Sequence, residues 1–170
     1  MGTIKQFNNF LDINLIKNIK NKIHQNLAEP KWRSSLYWYF GFKNSSSPVL
    51  SFEIEDDIFK NIIKNKFISF FPQLTNKSMT VFYYIWPNLS FIPFHTDGGK
   101  YMGATIYLNE EWDKNHGGLF LYENNNEINV IIPEFNKCVV NDLKINHATT
   151  LTTIEAPYRE TLQIFFYENN

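Results

Sequence analysis

From Ser78 to Tyr167 the chain is a succession of short β-prone runs, and this constrains its fold more than any other feature. "SMTVFYYIW", "GATIYLN", "GGLFLYE", "EINVIIP", "KCVVND" and "ETLQIFFY" are rich in β-branched and aromatic residues. Between them lie "PNLS", "EEWDKNHGG", "NNN", "PEFN" and "EAPYR", which have turn composition. Strands this short, punctuated at near-regular intervals, cannot bury themselves singly and must stack as a sandwich or jelly roll. No repeat is visible, and "ENNNE" is a hairpin tip.

The part before Ser78 has a different period. Leu15, Ile16, Ile19, Ile23 and Leu27 recur at helical spacing, which predicts an amphipathic helix over 12–27 with Asp12 as its cap and Pro30 as its stop. A second helix is expected over 56–70, with Ile58, Phe59, Ile62, Ile63 and Phe67 on one face and Pro72 ending it. Between them "SSLYWYFGF" is aromatic and β-prone, and "KNSSSPVLS" has loop composition. Helices are therefore expected to dominate this first part.

At 170 residues, 44% hydrophobic and 17% aromatic, the chain is long enough for one buried core. Residues 1–170 are expected to form a single domain, with helical support over about 1–77 and a β core over about 78–168. A formal net charge of -1 gives no reason to expect nucleic acid or an anionic membrane as partner. No run approaches the roughly 20 apolar residues of a membrane span, and no secretory signal is visible, so a cytoplasmic location is expected. The one cysteine, Cys138, agrees with a reducing compartment and reads as a buried strand residue.

Chemistry enters at "FIPFHTDGGKY". In extended backbone His95 and Asp97 share a face, because side chains alternate with period two. His147, in "LKINHATT", follows the "KCVVND" run and supplies a distant second imidazole. Two histidines and one carboxylate on one face of an octahedron is the ligand set of non-haem iron(II) oxygenases, though the spacing alone also fits unrelated polar residues. Arg159 heads the run "RETLQIFFY", where alternation places Arg159, Thr161, Gln163 and Phe165 on one face and Leu162, Ile164 and Phe166 on the other. No acidic residue shares the face of Arg159, so a dicarboxylate co-substrate is its natural partner. His116 reads as a turn residue and His24 as part of the polar side of the first helix.

"FHTDGGKYMGATIYLNEEWDKNHGGLFLY", "PEFNKCVVND", "NHATT" and "YRETLQIFFY", in that order, resemble the catalytic core of iron(II)- and 2-oxoglutarate-dependent dioxygenases of the prolyl 4-hydroxylase type. The resemblance covers roughly Met79 to Tyr167. It implies an α+β, mainly β fold: a double-stranded β-helix, a cupin-like jelly roll, with N-terminal helices packed on it. It implies that His95, Asp97 and His147 ligate iron and that Arg159 binds the 2-oxoglutarate carboxylate, all four being catalytic. Tyr107 matches a tyrosine that hydrogen-bonds that carboxylate, and Phe120 an apolar wall of its pocket. Trp86 stands where the family often has tyrosine before a Gly-rich turn, here replaced by "PNLSF".

The resemblance further implies Fe(II), 2-oxoglutarate and O2 as cofactor and co-substrates, with ascorbate as a reductant. The activity it implies is hydroxylation of an unactivated C–H bond, with a prolyl residue in a peptide or protein as substrate. The alternatives are a free amino acid or other small metabolite, or a non-catalytic metal-binding jelly-roll module. Phe165 stands where nucleic-acid-demethylating relatives carry a second arginine, so nucleic acid is not expected. The glycines of "DGGKY" serve the turn after the ligands.

Overall fold

The computed structural model describes residues 3–25, 33–34, 49–141 and 145–169. The aromatic run over 36–40 and the loop over 43–47 lie outside the described residues. In chain order the elements are β1 (Ile4–Phe7), α1 (Ile13–Gln25), β2 (Arg33–Ser34), β3 (Leu50–Glu53), α2 (Asp57–Phe70) and β4 (Ser78–Trp86). There follow β5 (Ile92–His95), β6 (Met102–Tyr107), β7 (Phe120–Asn124), β8 (Glu127–Ile131), β9 (Cys138–Asn141), β10 (His147–Thr149) and β11 (Arg159–Tyr167).

The strands form two antiparallel sheets, a major one in the order β1-β9-β6-β11-β4-β3-β2 and a minor one in the order β5-β10-β7-β8. This is the jelly roll, one of the two architectures expected from the strand punctuation and the one the resemblance implied. The long ladder between β4 and β11 sets the register of the molecule, pairing Ser78 with Tyr167 at one end and Trp86 with Arg159 at the other.

The alternation of β11 decides which side each residue serves. Leu162, Ile164 and Phe166 are fully buried in a core they share with Val81, Tyr83 and Ile106 of the same sheet. The helices close that core: Ile16, Ile19 and Ile23 of α1 and Phe59, Ile63 and Phe67 of α2 pack into it. Both helices begin as their caps require. The Asp12 Oδ1 accepts from the backbone N–H of Asn14 at 2.8 Å, and Asp56 Oδ1 accepts from that of Phe59 at 3.0 Å. Lys20 and His24 of α1 meet Glu160 of β11 at 2.8 and 2.7 Å, so the polar side of α1 is tied to the sheet.

Two expectations need correction. The buried face of α2 is narrower than its apolar residues suggest: Ile58 is 76% exposed and Ile62 45% exposed. The helix rests on one sheet only, so the i, i+4, i+8 row of Phe59, Ile63 and Phe67 faces the core and the flanking isoleucines face water. Helices do dominate the described residues of the first part, but short strands are present there too. β1 joins β9, with Ile4 opposite Asn141, and β3 joins β4, with Leu50 opposite Ile85, where "KNSSSPVLS" had read as loop. Both strands are only four residues long and take their order from the ladder they dock on.

No helix of the described residues is long and apolar enough to cross a membrane. Cys138 is fully buried in β9, and burial pushes its thiol well above the ordinary range.

Candidate active site

The face of the major sheet away from the helices looks toward the minor sheet. Tyr84 and Trp86 of β4, Thr105 of β6, Asn141 of β9 and Arg159, Gln163 and Phe165 of β11 line a pocket there, opposite His95, Phe120 and His147 of the minor sheet. Its space, including the open mouth, is about 540 Å³.

His95 ends β5 and His147 begins β10, and the two are directly paired across that ladder. Their rings lie 4.3 Å apart, centroid to centroid. Asp97, two residues past β5, turns its carboxylate between them. Its Oδ1 lies 3.9 Å from His95 Nε2, and its Oδ2 lies 3.6 Å from His147 Nε2. The three residues offer ligand atoms that all fall within 4.8 Å of one another. Sequence separation is large between Asp97 and His147, and only the β5-β10 pairing brings them together.

The outer nitrogens of both rings are occupied. His95 Nδ1 is 2.8 Å from the Pro93 carbonyl, and His147 Nδ1 is 3.0 Å from the Ile145 carbonyl. A ring that donates its Nδ1–H to a carbonyl keeps its Nε2 lone pair for a metal. Burial, and next the neighbouring His147, hold His95 below the usual histidine range, which favours the neutral ligand form. Phe120 stacks on the His147 ring at 5.3 Å and 22°. Donor type, number and spacing therefore fit a divalent first-row metal that accepts imidazole and carboxylate.

Gly103 is the residue that makes room for Asp97. A Cβ at this position would come within 3.2 Å of Asp97 Oδ2. On the open side Lys100 Nζ lies 3.4 Å from Asp97 Oδ1 and 3.6 Å from the centre of the Phe165 ring.

Arg159 is the other pole of the site. It is 1% exposed, and its Nε and Nη1 have no hydrogen-bond partner among the described residues. Its guanidinium carbon sits 4.6 Å from the centre of the Trp86 ring and 5.1 Å from that of Tyr107. The Tyr107 hydroxyl, also buried, makes no close hydrogen bond among the described residues, although the neighbouring Arg159 guanidinium offsets part of the effect of burial on it. Burial lowers the Arg159 pKa from its ordinary value, and the adjacent Tyr107 partly offsets this. Burial of a cation with unpaired donors costs several kcal/mol by general estimates, roughly 3–5 when a partner is missing, and an anion entering the pocket would remove that cost. Gly118 clears the path of the arginine side chain, since a Cβ there would meet Arg159 Cδ at 3.0 Å.

The residues singled out in the sequence thus fall in one region. His95, Asp97, His147, Phe120, Trp86 and Arg159 all line the pocket, and Tyr107 lies behind Arg159. The indole Nε1 of Trp86 donates to Thr161 Oγ1 at 3.2 Å. Several pocket residues were not anticipated, among them Tyr84, Asn141 and Thr105. Alternation along β4 and β9 puts Tyr84 with Trp86 and Asn141 with Val139, a signal that becomes readable once one inward residue on each strand is known. His116 lies in a 3-10 turn and His24 on α1, both away from the pocket.

No protein-family model matches the sequence, and no curated protein matches it. Solved structures do match the fold. A prolyl-4-hydroxylase from Pseudomonas putida superposes with a TM-score of 0.79 at 15% identity, over 98% of this chain and 93% of that one. A prolyl hydroxylase from Trichoplax adhaerens, solved with a peptide fragment of the hypoxia inducible factor oxygen degradation domain, gives 0.80 at 14% identity, over 97% and 83%. A viral collagen prolyl hydroxylase from Paramecium Bursaria Chlorella virus-1, solved with 2-oxoglutarate, gives 0.70 at 12% identity, over 98% and 96%. The chain has the fold of the 2-oxoglutarate and iron(II) oxygenases, prolyl 4-hydroxylases among them.

Proposed function

We propose that this chain is an Fe(II)- and 2-oxoglutarate-dependent dioxygenase that hydroxylates an unactivated C–H bond, with a prolyl residue of a peptide or protein as its substrate. One observation carries the reading. A donor set of two imidazoles and one carboxylate shares a pocket with a buried guanidinium that has two nitrogens unpaired among the described residues. A metal site alone would not require the arginine, and a structural arginine would have found a partner.

In this reading His95, Asp97 and His147 hold the iron, and Arg159, with the Tyr107 hydroxyl, takes the far carboxylate of 2-oxoglutarate. The three ligand residues would hold iron, which with O2 and the oxidative decarboxylation of 2-oxoglutarate to succinate and carbon dioxide would supply the oxidising power for C–H hydroxylation. The protein's own work is positional. The Pro93 and Ile145 carbonyls keep both imidazoles turned with Nε2 inward. Trp86 and Tyr107 hold the guanidinium between their rings, and Ile92, Phe120 and Phe165 give the pocket apolar walls that keep water off the reacting centre. Ascorbate would act as external reductant, and the whole chain would work as one domain in the cytoplasm.

The prolyl and peptide part of the reading draws on the Pseudomonas, Trichoplax and viral structures. A small-metabolite substrate is the second reading, favoured by a TM-score of 0.73 to the epimerase SnoN of nogalamycin biosynthesis. A non-catalytic module is disfavoured because a degenerate copy has no need to keep all three ligand residues together with the arginine.

Anaerobic addition of Fe(II) and 2-oxoglutarate should give a visible charge-transfer band that is absent in His95→Ala. A wild-type protein without the band would sink the proposal. Mass spectrometry then separates the substrates: a one-oxygen gain on prolyl peptides supports the first reading, and a gain on free proline alone supports the second.

A further inference from the structure

Asn141 ends β9 opposite Gly103 of β6, is buried, and lines the pocket beside His147. Its Nδ2 lies 2.9 Å from Nδ1 of His147, the same ring nitrogen that faces the Ile145 carbonyl at 3.0 Å. Its Oδ1 is buried with no hydrogen-bond partner among the described residues. The amide's oxygen and nitrogen fill the same volume, so which of them faces Nδ1 follows from where the ring carries its proton. A ring nitrogen either donates a proton or accepts one, so Nδ1 cannot at once accept from the Asn141 amide and donate to the Ile145 carbonyl.

The two arrangements belong to different states of His147. When Nδ1 accepts from Asn141, the ring proton sits on Nε2, the atom that faces Asp97 at 3.6 Å, and that nitrogen has no lone pair to give. When Nε2 ligates a metal, the proton sits on Nδ1, and every neighbour of Nδ1 must be an acceptor. Asn141 can comply without moving its backbone. A half-turn about its last side-chain torsion exchanges oxygen and nitrogen in the same volume. Oδ1 then joins the Ile145 carbonyl in accepting from Nδ1–H. The amide NH2 takes the place of the orphaned oxygen and presents donors to the pocket.

We infer that Asn141 is a positioning residue that couples metal loading to binding of the carboxylate co-substrate. With the site loaded, its oxygen fixes His147 as the Nε2 ligand and its NH2 donates to an anionic oxygen of the bound oxo acid. The inference rests on the oxygenase reading above and assigns a residue that reading does not use. Arg159 then has a neutral helper in the same pocket, and the orphaned buried oxygen acquires a purpose.

Two variants separate the halves of the role. Asn141→Asp still accepts from Nδ1–H but offers no donor and adds a negative charge, whereas Asn141→Leu does neither. Calorimetric titration of the whole chain with Mn(II), and then of the Mn(II)-loaded protein with 2-oxoglutarate, reads each half without turnover. Asn141→Asp should keep Mn(II) affinity and weaken 2-oxoglutarate by about tenfold or more. Asn141→Leu should weaken Mn(II) by about tenfold as well, the usual effect of losing a partner behind a ligating histidine. Because the added carboxylate of Asn141→Asp repels 2-oxoglutarate by itself, the donor role is read from the uncharged Asn141→Leu saturated with Mn(II). Its 2-oxoglutarate affinity should also fall by about tenfold, which a merely structural asparagine would leave unchanged, and Asn141→Ala carries the test if Asn141→Leu does not fold. Variants that bind both ligands like the wild type overturn the Asn141 inference alone. A wild type that binds neither Mn(II) nor 2-oxoglutarate overturns the oxygenase reading and this inference with it.

Discussion

Trp86 stands opposite Arg159 in the β4-β11 ladder and lays its indole 4.6 Å from the guanidinium carbon. The pair sits at the end of the longest ladder in the molecule, where the sheet is stiff, and the guanidinium is thereby fixed before any anion arrives. Preorganisation of this kind lowers the ordering cost of binding. Replacing Arg159 by Gln should weaken 2-oxoglutarate by about a hundredfold, since a buried charge pair loses one member, while Mn(II) affinity is unchanged. Trp86→Leu should cost about tenfold through the lost cation–π contact. Calorimetry on the Mn(II)-loaded protein measures both. Equal co-substrate affinity in Arg159→Gln and wild type would remove the arginine from the site.

Gly103 faces Asp97, and the added methyl of Gly103→Ala would approach Oδ2 to 3.2 Å. The carboxylate must shift by a few tenths of an ångström, away from the position it shares with the two imidazoles. Mn(II) or Co(II) affinity should fall by about tenfold with the thermal midpoint little changed. A variant with wild-type metal affinity would show that the carboxylate has slack.

Asp56 links the two helices: it caps α2 and takes the Lys22 ammonium of α1 at 2.8 Å. The Lys22 hydrogen bond first, and the Phe59 backbone N–H next, hold its carboxyl below 3.8. A carboxyl depressed in the folded state stabilises the protein above its unfolded pKa, and that contribution is lost as pH falls below 3.8 through the folded value. Asp56→Ala should lower the melting temperature near neutral pH by roughly 2 to 4 °C. The gap between wild type and variant should shrink as the pH falls below 3.8. Melting curves at the two pH values check this, and a gap that widened in acid would contradict the sign.

Cys138 is the chain's one cysteine and is fully buried, with burial raising its thiol well above the ordinary range. Reaction requires the thiolate and access to it, and the native protein provides neither. A disulfide reagent at mildly alkaline pH should release no chromophore from native protein over minutes and one equivalent after denaturation. Rapid reaction of the native protein would place the residue outside the core.

Much of the molecule is written in local pattern. The strands β4 and β11 appear in the sequence almost to their ends, because nine-residue runs rich in β-branched and aromatic residues stand out from the turns around them. The inward face of β11 could be assigned, residue by residue, before any contact was known. Asp12 announced its helix because capping is a short-range exchange between a side chain and backbone N–H groups, and Asp56 proves to do the same for α2. The order of the ligand and arginine motifs pointed to the site, and those residues do converge on one pocket.

Tertiary structure decided what local pattern leaves open. β1, β3 and β10 are too short to carry a period and become strands only because a neighbour offers a ladder. Ile58 and Ile62 are apolar yet face water, because α2 touches a single sheet. Asn141 and Tyr84 looked like ordinary strand residues until the two sheets were placed face to face. The sequence by itself determined the jelly roll and the residues able to make a metal site. The packing of β5 against β10 and of β9 beside β6 decided which side chains stand behind those ligands, because it joins residues far apart in the chain that no local spacing relates.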